Sequence, residues 1–251
     1  MIKAGIDIGN SKISLVVCDV KNNGSIKILS FISNTTNGIR KGLITNIDLL
    51  KEEINRCIGE AQKESETEIK SVILNIPAIE SLSDYSETNF DINGEMVNDL
   101  HLKKAVNDSN LLEIVQDYET ILNSIIGYEL DDQFLTESPL GTYGNAFKVK
   151  FYKYMIKNNY TKTYKSLFNQ LNINIEDYVP TPLSSSLSTL NKDDKLLGAI
   201  CIDLGASSSS ICMYENSKVV FMDAINIGGQ NITNDIARGI PTTIESAERL
   251  K

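Results

Sequence analysis

Short apolar runs separated by turn residues predict strands at the start of the chain. One run ends at Ile8, and others cover 13–17, 26–32 and 72–76, the last stopped by Pro77. Between the last two, apolar residues at helical spacing predict one helix, carried by Ile47, Leu50, Ile54, Cys57, Ile58 and Ala61. We therefore expect a β-meander followed by a helix and a further strand.

The pattern changes near residue 83, where acidic and asparagine-rich sequence begins. Asn93-Gly94 predicts a hairpin turn, and a short helix is expected from Asp99. The turn-rich stretch 127–145 predicts loops. The expected strands are 121–126 and the alternating Phe147, Val149 and Phe151. These elements predict a small α+β insert over 84–157.

Helical spacing returns after the insert. Thr161 is the expected cap of a helix whose apolar face carries Tyr164, Leu167, Phe168 and Leu171. A short strand from Ile173 and a small-residue helix over 183–190 follow, and the polar stretch 191–194 predicts a solvated linker. The expected boundaries are 1–83 for a first subdomain, 84–157 for the insert and 158–195 for a return to the first subdomain.

The last part of the chain repeats the opening pattern. A second set of strands is predicted by three features: an apolar run from Leu196, a turn near Asn216 and a second apolar run over 219–222. Gly228-Gly229 is expected to open a helix, and Thr242 to cap another in a capping box with Glu245. We assign 196–240 to a second subdomain and 241–251 to the start of a further one, so the second half is expected to be incomplete and the chain truncated.

The repetition includes individual polar residues. Five positions recur unchanged 196 residues later: Ile6, Asp7, Gly9, Ser11 and Ser14 return as Ile202, Asp203, Gly205, Ser207 and Ser210. A strand-turn-strand unit used twice in one polypeptide predicts two related half-domains that face each other.

Each turn carries the groups that a phosphate and its magnesium ion require. Gly9 lets the backbone approach an anion, Ser11 offers a hydroxyl donor, and Asp7 can hold Mg²⁺ through water. One such turn alone is a weak signal, because a plain hairpin with a polar tip carries the same residues. The duplication, which adds Asp203 as the second metal-binding candidate, and the glycine pair Gly228-Gly229 at a helix start favour a nucleotide site.

Composition excludes several other classes. A net charge of −9 without a basic stripe disfavours a nucleic-acid binder. The four cysteines lack metal-type spacing, and His101 is the sole histidine, so a histidine-based triad or a multi-histidine metal site is not expected. No apolar run approaches the roughly 20 residues that cross a bilayer.

Several stretches resemble the FtsA family of bacterial cell-division proteins, within the actin-like ATPase superfamily. The matching stretches are Gly5-Ile6-Asp7-Ile8-Gly9-Asn10-Ser11-Lys12-Ile13, Lys41-Gly42-Leu43-Ile44-Thr45-Asn46-Ile47, Ser138-Pro139-Leu140-Gly141-Thr142-Tyr143-Gly144-Asn145, the helix from Ile227 to Gly239, and Ser246-Ala247-Glu248-Arg249-Leu250-Lys251. The resemblance covers essentially the whole chain. It implies an α/β, actin-like (ribonuclease H-like) duplicated fold with a family-specific insert.

The resemblance also implies a cofactor, ATP with Mg²⁺, bound between the halves. The matching positions are Asp7, Gly9, Asn10, Ser11 and Lys12 in the first phosphate motif, Asp203, Gly205 and Ser207 in the second, Gly228 and Gly229 near the phosphates, and Glu248 and Lys251 toward the nucleoside. Lys12 remains open between a phosphate contact and a surface lysine. The implied partners are FtsZ, other division proteins and further copies of the chain in filaments. The implied location is the cytoplasmic face of the membrane, to which relatives attach through a C-terminal helix that is expected to be absent here.

Two departures from the family pattern predict slow hydrolysis, so that at most a slow ATPase is expected. The second turn reads Asp203-Leu204-Gly205-Ala206-Ser207-Ser208 where relatives carry more glycine, and Thr181-Pro182 stands where an acid usually precedes the proline. A sugar-type kinase and a chaperone-type ATPase of the same superfamily stay as alternatives. A kinase would need an acid beside the cleft, and Asp131 and Asp132 are better explained as a solvated turn.

Overall fold

The computed structural model describes residues 1–40, 42–79, 81–111 and 115–251. The elements of the first part are β1 (Ile2–Ile8), β2 (Lys12–Val20), β3 (Ile26–Thr35), β4 (Ile39–Arg40), β5 (Leu43–Ile44), α1 (Ile47–Ser65) and β6 (Ser71–Ile76). The middle part contains β7 (Ser81–Asp91), α2 (Asp99–Leu111), β8 (Tyr118–Leu130), β9 (Gln133–Leu135), β10 (Ala146–Lys157), α3 (Asn158–Gln170), β11 (Asn174–Pro180) and α4 (Thr181–Thr189). The last part contains α5 (Lys192–Leu197), β12 (Ala199–Leu204), β13 (Ser209–Glu215), β14 (Lys218–Ile225), α6 (Gly229–Gly239) and α7 (Ile244–Leu250).

A five-stranded sheet in the order β11-β6-β1-β2-β3 supports the first half. The strands β1, β2 and β3 form the predicted antiparallel meander, while β6 and β11 join in parallel. The helices α1 and α3 cover one face, where every second residue of β1 and β2 is buried, among them Ile6 and Leu15. This alternation is the one that a sheet with one covered face requires.

The predicted helix over 47–61 is confirmed and extends to Ser65. Asn46 caps it, because its side chain accepts the Leu49 N–H at 3.0 Å. Four of its buried residues, Leu50, Ile54, Cys57 and Ala61, face the sheet, whereas Ile47 in the first turn is exposed.

A second sheet in the order β7-β10-β8-β9 carries α2 on one side. Asn93 and Gly94 adopt the positive φ angles of the predicted turn, 48° and 82°. The predicted hairpin is wrong, because β7 pairs with the distant β10 instead of with the segment after the turn. The prediction of loops over 127–145 is also partly wrong: cross-strand pairing carries β8 to Leu130 and adds β9.

Three local predictions around the helices fail for identifiable reasons. The α3 helix begins at Asn158, so Thr161 lies inside it and its hydroxyl bonds the Asn158 carbonyl instead of capping. The expected linker 191–194 starts α5, because Asn191 and Asp194 form a reciprocal capping box. The cap of α7 is Thr243, one residue after the predicted Thr242, and it bonds the Ser246 N–H.

A third, antiparallel sheet in the order β12-β13-β14 repeats the opening meander. The turn predicted near Asn216 is confirmed, with positive φ at Asn216 and Ser217. The far side of β14 packs on the ends of β7, β8 and β10, where Tyr152, Tyr154 and Met222 are buried together. Within the described ranges, none of the helices combines the length and the apolar character that crossing a membrane demands.

Candidate functional site

The two phosphate-type turns have the same geometry. Asp7 pairs with Ser14 in the first meander, and Asp203 pairs with Ser210 in the same register in the second. In each turn the glycine N–H donates across the loop at 2.9 Å, from Gly9 to the Lys12 carbonyl and from Gly205 to the Ser208 carbonyl. The sequence repeat is therefore also a structural repeat, down to a single hydrogen bond.

The tips of both turns present unpaired backbone donors. Within the described part of the chain, no hydrogen-bond acceptor lies opposite the N–H groups of Asn10 and Ser11, or those of Ala206 and Ser207. Consecutive free N–H groups in a turn form an anion-binding concavity. The residues present therefore fit the phosphate chain of a nucleotide, held from two sides.

Both aspartates are tied to α4, the serine-rich helix between the halves. The Ser185 hydroxyl donates to Asp203 Oδ2 at 2.6 Å. Asn75 Nδ2 donates to Asp7 Oδ1 at 2.8 Å, and the Ser184 hydroxyl donates to Asn75 Oδ1 at 2.9 Å. One helix thereby orients both carboxylates, while Asp7 Oδ2 and Asp203 Oδ1 make no hydrogen bond to described residues.

The environment of Asp7 disfavours its charge. Burial raises the pKa of the Asp7 carboxyl above its ordinary value, the Asn75 hydrogen bond partly offsets this, and the charge of Asp203 raises the pKa again. Two carboxylates that repel each other, each with a free oxygen, suit a hard divalent cation. The described residues contain no group of three or more potential ligands, so Mg²⁺ here would also need water and phosphate oxygens.

Most of the predicted residues line one of three cavities, whereas Gly9, Lys12 and Asp203 line none of the three. A cavity of about 1080 Å³ is lined by Ser11, Gly205, Gly228, Gly229, Glu248 and Lys251, together with apolar residues such as Ile232. A second cavity of about 360 Å³ lies between the turns, against Asn10, Ser11 and Ser207. Asp7 faces a third cavity of about 260 Å³ with Ser14 and Asn75. The structure thus brings together most of the predicted site, but Asp7 lines a separate cavity.

The start of α6 differs from its predicted role. Its first N–H groups are already bonded, from Gly229 to the Gly205 carbonyl at 2.9 Å and from Gln230 to the Ala206 carbonyl at 2.8 Å. The helix start predicted to favour a nucleotide therefore offers neither of these N–H groups to an anion, because the helix sits end-on against the second turn. A Cβ on Gly228 would lie 2.6 Å from the Gly205 oxygen, so the glycine is needed for this close backbone contact.

Glu248 and Lys251 form a polar cluster with Thr233 at the wall of the large cavity. Lys251 Nζ lies 2.6 Å from Glu248 and 3.2 Å from the Thr233 hydroxyl, which also bonds Glu248. The Lys251 ammonium and the Thr233 hydroxyl lower the pKa of Glu248, which stays ionised. Thr233 is fully buried and joins α6 to α7. The cluster holds two of the predicted residues in place beside the cavity.

Asn10 and Lys12 have different surroundings in the first turn. Asn10 Oδ1 accepts the Gly42 N–H at 2.6 Å, which ties the β4–β5 hairpin to the first turn. Lys12 is exposed at the start of β2. Lys41, part of a family-type stretch, lies outside the described residues.

Several residues at the cleft were not singled out by sequence reasoning. Asn75, Ser184 and Ser185 hold the aspartates, and Arg40 lines the cavity between the turns. The small residues over 183–190 predict a helix, but their spacing gives no sign of what the serine hydroxyls bond. A polar Asn75 inside an otherwise apolar strand was the available signal.

Comparison with known proteins agrees with the geometry. The family model described as Cell division protein FtsA matches residues 200–251. Curated relatives of that name are 24–30% identical over 90–98% of this chain, including one from Agrobacterium fabrum at 30% over 227 residues. The chain spans about half the length of these relatives, 51–59%.

Solved structures establish the fold. A PilM-PilN type IV pilus biogenesis complex superposes with a TM-score of 0.71 at 15% identity, over 99% of this chain and 68% of that chain. MreB5 of Spiroplasma citri, bound to ADP, superposes with a TM-score of 0.51 at 10% identity, over 99% and 61%. The predicted duplicated actin-like α/β fold is confirmed, and over about half of their length the curated FtsA proteins are similar to this chain in sequence.

Proposed function

We propose that the chain is an FtsA-like, ATP-binding part of a cell-division scaffold. The observation that carries this proposal is the repeated turn, with identical register, the same glycine hydrogen bond and free N–H donors on both sides of one cleft. The family relationship supports the cell-division role, and the ADP bound to the structurally similar MreB5 supports a nucleotide in this fold.

In this proposal the free N–H groups of both turns bind the phosphates, with Gly228 and Gly229 beside them. Glu248 and Lys251 line the nucleoside side. Asp7 and Asp203, oriented by α4, would hold Mg²⁺ through water, and the ion would neutralise phosphate charge when bound. We keep the domain boundaries predicted from the sequence, so that the nucleotide cleft lies between the subdomain 1–83 and the subdomain 196–240.

Hydrolysis is proposed to be slow, below about 1 s⁻¹. The Thr181 hydroxyl, which stands where relatives usually have an acid, donates to the Ile76 carbonyl and accepts from Asn75. A hydroxyl engaged in this way cannot take a proton from water as a carboxylate does. The chain would therefore act as a nucleotide-dependent switch more than as an enzyme.

The proposed partners follow from the family: FtsZ, other divisome proteins and further copies of the chain in filaments, at the cytoplasmic face of the membrane. The kinase alternative gains no support from the insert. Asp131 accepts the N–H groups of Asn145 and Ala146, which lowers the pKa of its carboxyl and occupies it within a turn.

Nucleotide-dependent stabilisation tests the proposal. Mg-ATP at a hundredfold excess over its Kd should stabilise the chain by about 2.7 kcal/mol in thermal melts. EDTA and the variant Asp203→Asn should each reduce that gain, because both weaken Mg²⁺ binding. Pelleting with FtsZ and a sugar-phosphorylation assay then separate scaffold from kinase. An unchanged melting temperature at millimolar Mg-ATP would contradict the proposal.

A further inference from the structure

The cavity between the two turns has the composition of an anion site. Its 360 Å³ is lined from the first half by Asn10, Ser11 and Arg40, and from the second half by Ser207, Gln230 and Asn231. Among the described lining residues there is one guanidinium, several amides and hydroxyls, and no carboxylate. Such a set offers many donors and one positive charge, which suits a phosphate group.

Arg40 is available to a ligand. Its side chain is exposed, and within the described ranges it makes no hydrogen bond and no ion pair. Lys251 is engaged by Glu248. Arg249 lines only the large cavity and Lys12 lines neither, so Arg40 is the cation of the cavity between the turns among the described residues. A free guanidinium presents a planar fork that can donate two hydrogen bonds to one phosphate.

The backbone around Arg40 is held from both sides. The buried carboxylate of Glu53 accepts the Thr36 hydroxyl at 2.8 Å and the Asn37 N–H at 3.0 Å, which anchors the chain before β4. After β4, the Gly42 N–H bonds Asn10 of the first phosphate turn at 2.6 Å. The position of Arg40 relative to the turn is therefore set by the fold, although its side chain is free.

The large and small cavities meet at the turns. Both are lined by Ser11, Ala206 and Gln230. A nucleotide whose nucleoside occupies the large cavity would pass its phosphate chain between these residues. The end of that chain would then enter the Arg40 cavity, and a shorter chain would stop before it.

We propose that Arg40 is a specificity-determining residue that binds the terminal phosphate of a nucleoside triphosphate and so distinguishes it from the diphosphate. This inference rests on the proposed nucleotide function and adds a residue from the β4–β5 hairpin to the site. Through Gly42 and Asn10, the same hairpin is joined to the first phosphate turn.

The test compares Arg40→Gln with Arg56→Gln, which removes the same charge from an exposed position on α1. Binding of ATP and ADP to the full chain is measured by equilibrium dialysis with Mg²⁺, and thermal melts check that both variants fold. Arg40→Gln should weaken ATP binding by about 10- to 100-fold and ADP binding by less than about 3-fold, since hydrogen bonds between charged groups are stronger than those between neutral groups and only ATP carries the terminal phosphate. Arg56→Gln should leave both affinities unchanged.

Two outcomes overturn the inference alone: Arg40→Gln binds ATP as tightly as the wild type, or it weakens ATP and ADP by the same factor. If the wild type binds neither nucleotide, nor inorganic tripolyphosphate used as a probe, the proposed function fails and the inference fails with it. The two failures are distinguishable, because only the second is visible in the wild-type protein.

Discussion

At the residue scale, the chain keeps a carboxylate where the fold disfavours its charge. Asp7 is surrounded by buried strands, lies near Asp203 and receives one hydrogen bond from Asn75. Its raised pKa means that the ionised form costs stability in the folded chain at neutral pH, and that this cost disappears once the carboxyl is protonated. A group retained at such a cost is typical of a site that a cation completes.

We expect Asp7→Asn to stabilise the chain at pH 7 in the absence of nucleotide, by about 0.5–2 kcal/mol. The amide keeps an oxygen for the Asn75 donor and removes the buried charge. Melts of the two proteins measure this gain. In the same variant, stabilisation by Mg-ATP should fall, because a metal-binding oxygen is lost.

The pH dependence gives the control for this prediction. Because the folded pKa of Asp7 lies above its unfolded value, the advantage of Asp7→Asn should be full above the folded pKa. It should vanish as the pH falls below the ordinary range for aspartate, about 3.9. A gain that is the same at pH 7 and at low pH would show that the buried charge is not its cause.

At the element scale, the two repeated meanders differ in what covers them. The residues Ala4, Ile6 and Ile8 of β1 are buried under α1 and α3. Their counterparts in β12, Ile200, Ile202 and Leu204, are 57–78% exposed among the described residues. The same apolar alternation therefore has a different energetic value in the two halves.

A matched pair of substitutions measures this difference. Ile6→Ala should cost about 2–5 kcal/mol of unfolding free energy, because it removes buried methyl groups and leaves a cavity. Ile202→Ala, at the aligned position, should cost less than about 0.5 kcal/mol, as exposed substitutions generally do. Urea denaturation of both variants gives the comparison. Equal costs would mean that the β12 face is covered in solution.

At the scale of the whole molecule, the four-stranded sheet is locked to the second half through β14. The Tyr152 hydroxyl is buried and accepts the Met222 N–H at 2.7 Å, while the Tyr85 hydroxyl donates to the Val220 carbonyl at 2.7 Å in an exposed position. Lys218, at the start of β14, reaches the Ile126 carbonyl of β8. The position of the second half thus depends in part on contacts between β14 and this sheet.

Tyr152→Phe and Tyr85→Phe test the lock, since both keep the ring and remove one hydroxyl. Tyr152→Phe should cost about 1–3 kcal/mol, because it leaves a buried backbone N–H without a partner. Tyr85→Phe should cost no more than about 0.5 kcal/mol. Hydrogen exchange at the Met222 amide should become faster only in Tyr152→Phe. An unchanged exchange rate at the Met222 amide in Tyr152→Phe would contradict the role of this hydrogen bond in holding β14 on the sheet.

Local signals allowed most elements to be predicted, but their pairing and their caps were less accessible. The helix over 47–61 and both meanders follow from periodicity and turn residues alone. The pairing of β7 with β10 joins segments more than fifty residues apart, and the residues of neither strand specify which other strand it pairs with. At Thr161 and at 191–194, a cap and a linker were misplaced because either residue pattern suits both a helix start and a loop.

The sequence by itself determined the two aspartate-glycine-serine turns, because identical residues at identical spacing impose the same register and the same turn hydrogen bond. It also determined the apolar faces of the meanders. Only the tertiary structure decided which donors remain free. It places α6 against the second turn, where carbonyl groups of the turn accept hydrogen bonds from the first N–H groups of that helix. It also leaves the N–H groups at the tips of both turns unpaired among the described residues. It likewise brings Ser185 to Asp203 and Arg40 to the cleft, since such contacts depend on how distant elements pack.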